Sequence, residues 1–461
     1  MTTSMFMSII FFVTCYPILL AMYFMLRNSG DKNAYCFGAT LKKELRSDEA
    51  VKAIDAEFRK NLKWSTIILG IIPIPFAFIP YFSISMSLWM FWILAICFIP
   101  SLWFAIANRK IKDLKQERGW NEERSVSYTD LKTASVPRKV KLVTFLPALI
   151  LSTIPIIIAC IVFQGHGYEI YGWLVALFGL CTYLFYACAV WTDKQKITII
   201  CEDSDTNMNY ARAKKQVWKN FSLACAWINT AFTWFILFLM WQSGLAVSGV
   251  IWGTMVYCVA IMGITGWIIK KIFDINKAYE AKRTIFDAAD DDKNWIWGQV
   301  YYNKNDKHYM IESRLGTGTT VNLGNKAGMV TIFFSVVAVL SIPIVSIWII
   351  LAEFTPIQVT VEDDVIICQQ LNVDYEIPLA DIDAYTTVTE LPEMIKVNGS
   401  GMDNLLIGTF EVYREGMFEV FLNPQNDLFI KLTVDEQVYY IGGADDETTQ
   451  EVLDAIEEYM K

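Results

Sequence analysis

Apolar and polar positions alternate on two length scales along this chain. Up to residue 352 the pattern is one of long uncharged runs separated by charged segments. Eight runs stand out: Met5–Leu26, Trp64–Ile84, Ser87–Ala107, Leu142–Phe163, Ile170–Trp191, Phe221–Trp241, Val247–Ile269 and Met329–Ala352. Each is about as long as a helix that crosses a bilayer, which needs about 20 residues at about 1.5 Å of rise each. Pro73, Pro75 and Pro80 interrupt the second run, and such interruptions are tolerated where neighbouring helices re-satisfy the backbone. After residue 352 the period shortens to two. Ile357–Val361, Val365–Gln369, Tyr375–Pro378, Ala384–Glu390, Leu406–Tyr413, Met417–Leu422, Leu428–Val434 and Val438–Ile441 read as short strands. Turn-forming stretches at 362–364, 398–401, 415–416 and 423–427 separate them. The last segment, Asp445–Tyr459, places Val452, Leu453, Ile456 and Tyr459 on one helical face. Asp445 competes with a Thr448–Glu451 capping box for its N-terminus. The expected fold is therefore an α-helical polytopic membrane bundle of about eight spans. It is followed by a small antiparallel β-barrel with a C-terminal helix.

Charge sharpens this picture. The chain is 54% hydrophobic and only 19% charged, with a net charge of −9, a membrane composition with a soluble part attached. Residues 353–461 hold 24 acidic and four basic residues, whereas the remainder holds 24 acidic and 35 basic. All 35 fall in the segments 27–63, 108–141, 192–219 and 270–328; the alternate connections, 85–86, 164–169 and 242–246, carry none. By the positive-inside rule the basic segments are cytoplasmic, and the N-terminus and acidic tail lie outside the cell. The N-terminal run lacks a basic flank and a small-residue cleavage site, so it reads as an uncleaved span. Four divisions follow: residues 1–269 as helices 1–7 of the membrane region, 270–328 as a cytoplasmic helix plus an aromatic β-meander, 329–352 as the last span, and 353–461 as the acidic β domain. Three hairpins starting near Trp64, Leu142 and Phe221 at similar spacing suggest an internal repeat.

Candidate chemistry is sparse. The ten cysteines contain no C-x-x-C, and the two histidines, His166 and His308, are far apart, so no metal site is expected. The span interiors lack the ionisable residues that couple protons or ions. No nucleophile–base pattern is visible, so no enzyme and no cofactor are expected. Asp290–Asp292 lacks the glycine and glutamate of a calcium loop, and Gly316–Gly318 lacks the lysine of a phosphate loop. Local sequence is most distinctive between Trp295 and Asp306. Its pattern predicts a strand over 295–302, a turn at 303–306 and a returning strand at 308–312. We take Trp295, Trp297, Tyr301, Tyr302, Asn303 and Asp306 as a candidate interfacial or interaction motif, with rings suited to the headgroup level.

That motif carries a resemblance. Trp297–Asp306, Gly316–Gly318 and Val321–Asn325 are together similar to a small uncharacterised domain of multi-pass membrane proteins in Gram-positive bacteria. It occurs there beside membrane regions distantly like the SdpI-type immunity proteins; the Leu-Pro…His-x-Asn signature of that immunity type is absent. In the tail, Ile377–Ile382, Gly408–Phe410 and the helix start at Ala444–Thr448 resemble bacterial pleckstrin-homology-like domains. The resemblance implies an interaction module. With four basic residues in the tail, its expected ligand is a protein or peptide, and nucleic acid is excluded as a partner. The lipid bilayer is the other partner. The expected role is a non-enzymatic sensor, regulator or scaffold in a bacterial plasma membrane. The alternatives are a hairpin-repeat transporter or exporter, or an immunity factor against a secreted peptide.

Overall fold

The computed structural model describes residues 3–27, 29–31, 35–120, 140–163, 169–195, 199–241, 246–282, 291–315, 319–371, 373–412 and 415–461. Asp290, His166 and Gly316–Gly318 lie outside the described residues. Among the described residues eight helices are long and apolar enough to cross a membrane: α1 (Thr3–Arg27), α2 (Glu49–Ile71), α3 (Phe82–Glu117), α4 (Leu142–Val162), α5 (Glu169–Asp193), α6 (Ser204–Trp241), α7 (Ala246–Glu280) and α8 (Lys326–Phe354). Several run past their apolar runs into the charged segments. Thus the helix expected from Lys270 onward is a continuation of α7. The second span corrects the sequence reading. Its helix ends at Ile71, a 3₁₀ turn covers Ile74–Phe78, and α3 already begins at Phe82. The turn therefore sits at the proline cluster, where missing N–H groups end helices, and residues 85–86 are helical.

The helices form two packed groups. α1, α2 and α3 pack on one another with α8 laid against α3, while α4, α5, α6 and α7 pack in sequence. Aromatic packing fills the first group: Trp89, fully buried, meets Phe11, Phe12, Phe76 and Trp92, and its indole donates to Ser8 Oγ at 2.9 Å. The second group is joined by a polar network. Asn229 Nδ2 donates to Thr182 Oγ1 and to the Phe178 carbonyl, Tyr257 donates to Asn229 Oδ1, and Ser152 donates to Thr182. These bonds satisfy polar groups that hydrocarbon would leave orphaned.

Two folded parts cap opposite ends of the bundle. At the basic end lie three small hairpins: β1 (Tyr35–Cys36) with β2 (Ala39–Thr40), β3 (Trp295–Ile296) with β4 (Val300–Tyr301), and β5 (Met310–Glu312) with β6 (Thr319–Val321). The single strand expected over 295–302 is in fact a hairpin, because Trp297 and Gly298 both adopt positive φ and reverse the chain. The strand expected to return against it pairs instead with 319–321.

At the other end is the acidic domain. β7 (Gln358–Glu362), β8 (Val365–Gln370) and β9 (Val373–Pro378) form a three-stranded sheet. β10 (Ile382–Val388), β11 (Met394–Met402), β12 (Leu405–Val412), β13 (Gly416–Leu422), β14 (Phe429–Val434) and β15 (Gln437–Ile441) form a second sheet in the order β10-β14-β15-β13-β12-β11. The pairs are antiparallel except β13 with β15. α9 (Asp446–Tyr459) closes the core with Val452, Leu453 and Ile456, and Asp445 wins the N-cap, accepting from the Thr448 N–H at 2.8 Å. Residues 398–401, read as a turn, lie inside β11. The glycines there serve close approach: Gly399 pairs with Gly408, both at positive φ, and a Cβ on either would collide with the facing backbone.

Candidate functional site

The candidate motif sits in a knot that joins three distant parts of the chain. Arg314, 1% exposed in its side chain, pairs with Asp291 and Asp292, donates to the Gly38 carbonyl at 2.6 Å, and lies over the rings of Tyr35 (4.4 Å) and Trp295 (4.8 Å). Asp292 in turn accepts from Lys115 Nζ at 2.9 Å and from the N–H and hydroxyl of Thr40. A guanidinium buried without such partners would be prohibitively costly; here two carboxylates, a carbonyl and two aromatic faces replace water. Burial pushes the Asp292 carboxyl up, but Arg314 and Lys115 outweigh it and hold it below the usual carboxylate range. Burial likewise raises the Tyr35 and Tyr301 phenols.

Glycine closes the same knot. The β1–β2 turn is Phe37–Gly38, both at positive φ, as a two-residue type I′ hairpin requires. Phe37 is buried against Phe58 and Phe104. A Cβ on Gly38 would lie 2.6 Å from the Gly298 carbonyl oxygen, and one on Gly298 would lie 2.6 Å from Asn108 Nδ2. The two hairpins thus touch backbone to backbone beside α3.

The six sequence-predicted residues divide into three pairs. Trp295 and Tyr301 are buried, face each other across the hairpin with ring centroids 5.1 Å apart, and belong to the scaffold. Trp297 and Tyr302 are exposed. Asn303 and Asp306 shape the turn between them: Asn303 Oδ1 accepts from the Asn305 N–H, and Asp306 Oδ1 accepts from the His308 N–H. The residue that organises this turn, Asn322, was not among the six. It is fully buried, its amide donates to the Asn303 and Asp306 carbonyls, and its oxygen accepts from the Asn303 and Gly324 N–H groups. All four hydrogen-bonding positions of the side chain are filled. Arg314, Lys115 and Asn108 also went unread, and Asp291 was read only within an acidic run that lacks the features of a calcium loop.

α8 is held at both ends. At its start, Asn325 Oδ1 accepts from the Ala327 N–H, while Asn325 Nδ2 donates to the Lys307 carbonyl of the meander. Tyr309 and Thr331 share a hydroxyl hydrogen bond of 2.8 Å one turn further on. At its end the last carbonyls, which no helix can satisfy internally, are taken by the β domain: Gln370 Nε2 donates to the Ala352 carbonyl at 2.7 Å, and Asn404 Nδ2 to the Glu353 carbonyl at 3.2 Å. The Glu353 side chain, 5% exposed, reaches sideways to α3. Its two oxygens accept from the Phe82 and Ser83 N–H groups at 3.0 and 2.6 Å. A carboxylate there also meets the positive end of the α3 dipole.

Both caps also bridge the two helix groups. In the meander, Glu312 pairs with Lys214 of α6 at 2.8 Å and Tyr309 packs on Trp191 of α5. In the β domain, Val397 and Met417 join the cluster of Phe163, Val175 and Phe232 at the other end of α4–α6.

The β domain offers little for an anionic headgroup. Lys431 lies over Phe418 and Tyr440 and 3.8 Å from Glu415. Lys396 is exposed on β11, and partial desolvation lowers its ammonium pKa. The Cys368 thiol is buried and pushed up to about 12 by desolvation, which makes it an inert core residue. Tyr375 of the small sheet donates to Glu419 of the large one at 2.9 Å, and Thr409 donates to its other oxygen. Burial, then the Glu419 charge, raise the Tyr375 phenol. Among the described residues no group of three or more His, Cys, Asp or Glu is placed to hold a metal.

Comparison with known families agrees with this architecture. Residues 357–455 match the family model described as a bacterial PH domain. No curated protein and no solved structure matches the chain. The molecule is therefore a multi-pass membrane protein carrying a C-terminal PH-like domain, a class of module that serves protein or lipid interaction.

Proposed function

We propose that this protein is a non-enzymatic sensor or scaffold of a bacterial cell envelope, in which the PH-like domain takes a protein or peptide partner and α8 carries its state across the membrane. The observation that carries the reading is the double capping of α8. A span whose first N–H and last carbonyl groups are bonded to side chains of the flanking domains moves with them. Glu353 adds α3 to the same unit. The bacterial PH match and the resemblance of 297–325 to Gram-positive membrane proteins support the envelope assignment. The charge partition supports a cytoplasmic meander and an outward PH-like domain.

A peptide fits the PH-like domain better than a phosphorylated lipid, because residues 353–461 hold 24 acidic and only four basic residues and Lys431 is already engaged by aromatic and acidic neighbours. β10 is an end strand of the large sheet, with Asp383, Ala384, Thr386 and Thr387 exposed, so an extended segment can add there through backbone bonds. Affinity capture with the full-length chain, compared with a Thr386→Pro chain that blocks strand addition, tests this. The reading expects an envelope protein retained by the first and lost from the second. Equal recovery from both would overturn the edge-strand mode.

A further inference from the structure

The β3–β4 hairpin descends along α3. Asp292 at its base meets Lys115, Lys112 Nζ donates to the Trp295 carbonyl at 2.8 Å, Gly298 lies on Asn108, and Gln299 Nε2 donates to the Ser101 carbonyl at 2.8 Å. From Lys115 to Ser101 the helix rises about 21 Å. Arg109 is the first charged residue beyond the apolar stretch of α3, so Ser101 lies about 12 Å inside that stretch. Gly298 at the tip lies on Asn108, one residue before Arg109, so the tip is level with the end of the apolar part of the bundle, and the Gln299 side chain reaches further in to Ser101. Ile296 and Trp297 at that tip are 43% and 63% exposed. Phe98 and Leu102 of α3, beside Ser101 in the chain, are exposed at 74% and 52%. Trp297 is held there in a backbone conformation (φ 53°) that bulky residues avoid, because Gly298 behind it is locked against Gly38 and Asn108.

We infer that the Ile296–Trp297 tip is a membrane wedge, whose occupant is glycerophospholipid of the leaflet at the basic end of the bundle. Its depth places the indole at the glycerol and headgroup boundary, the zone that amphipathic rings favour. The exposed Lys293 at the hairpin base lies on the phosphate side of that boundary. The medium at this depth is lipid, which is what favours phospholipid over a protein partner. The meander is then seated on the bilayer surface as well as on α3. This inference stands apart from the PH-like domain and its ligand.

The test uses the full-length chain in vesicles of phosphatidylcholine and phosphatidylglycerol, with Trp297→p-benzoylphenylalanine as a photo-crosslinker. Because the side chain is exposed, the substitution leaves the Gly298 contact intact. Phe98→p-benzoylphenylalanine sets the adduct yield of a lipid-facing residue, and Glu447→p-benzoylphenylalanine on α9 sets the background. The expected result is a phospholipid adduct at 297 at no less than one third of the yield at 98, and at least tenfold above that at 447. Adducts at 297 that are only to peptide, or a yield at the background of 447, would overturn the inference.

Discussion

Replacing Arg314 by methionine should open the basic-end knot while the bundle stays folded. The guanidinium is 1% exposed in its side chain and pairs with Asp291 and Asp292. Removing one partner of a buried ion pair typically costs about 3–5 kcal/mol. Lys115 remains beside Asp292 at 2.9 Å, which keeps part of that charge compensated and points to the lower half of the range, about 3 kcal/mol. Loss of the aromatic contacts with Tyr35 and Trp295 adds about 1 kcal/mol. The sum, near 4 kcal/mol, corresponds to roughly a 500- to 1,000-fold faster local opening. Hydrogen exchange followed by mass spectrometry on purified full-length protein reads this in the peptides covering 35–45 and 291–315, with peptides of α6 as the internal reference. An acid arm checks the electrostatic origin. A carboxyl held below its ordinary value contributes stability that is present above the unfolded-state pKa and is lost as pH falls through the folded one. In the parent chain, protection of these peptides should therefore hold from pH 7 down to about 4 and fall away below that. Exchange in Arg314→Met within threefold of the parent would refute the argument that the buried charge cluster holds the knot.

Two further substitutions test the packing. Glu353→Gln keeps the shape but removes the charge at the α3 N-terminus, a loss of about 1–2 kcal/mol. The Phe82 and Ser83 amides should exchange roughly tenfold faster in this variant, and unchanged rates would show that the carboxylate is not their cap. Gly298→Ala puts a Cβ 2.6 Å from Asn108 Nδ2 and 2.8 Å from the Phe37 carbonyl oxygen, at φ 70°. Unfolding in detergent should shift down by several degrees, with the β1–β2 and β3–β4 hairpins losing protection together; a change confined to one hairpin would contradict their backbone contact.

How much of this was legible in the sequence depended on the range of the interaction. The spans were readable because about 20 apolar residues satisfy a local length condition. The PH-like domain was readable from strand alternation and its final helix. The turn before α3 was displaced because residues 81–87 look apolar on either side of a break, whereas the prolines upstream of them set where the helix stops. Residues 398–401 looked like a turn because glycine and asparagine favour turns; within β11 the same glycines let two strands approach. Of the six motif residues, Trp297 and Tyr302 are exposed rings, Trp295 and Tyr301 are buried in the hairpin, and Asn303 and Asp306 shape a turn, a division that their alternation did not show. The groups that tie the molecule together were not legible. Arg314 finds Gly38 across 276 residues of sequence and Glu353 finds Phe82 across 271, and no local pattern records such pairings. Glu353 was further hidden by its place one residue past an apolar run, where an acid reads as the start of the soluble tail.

The central claim is that the meander, α8 and the PH-like domain move as one unit. Its most direct test is a distance distribution between spin labels on non-cysteine handles introduced at Lys304 in the meander and Asp363 in the β7–β8 turn, in the full-length chain reconstituted in vesicles. The double capping predicts one narrow distribution that broadens when Gln370 and Asn404 are both replaced by alanine. A broad distribution in the parent chain, unaffected by those replacements, would contradict it.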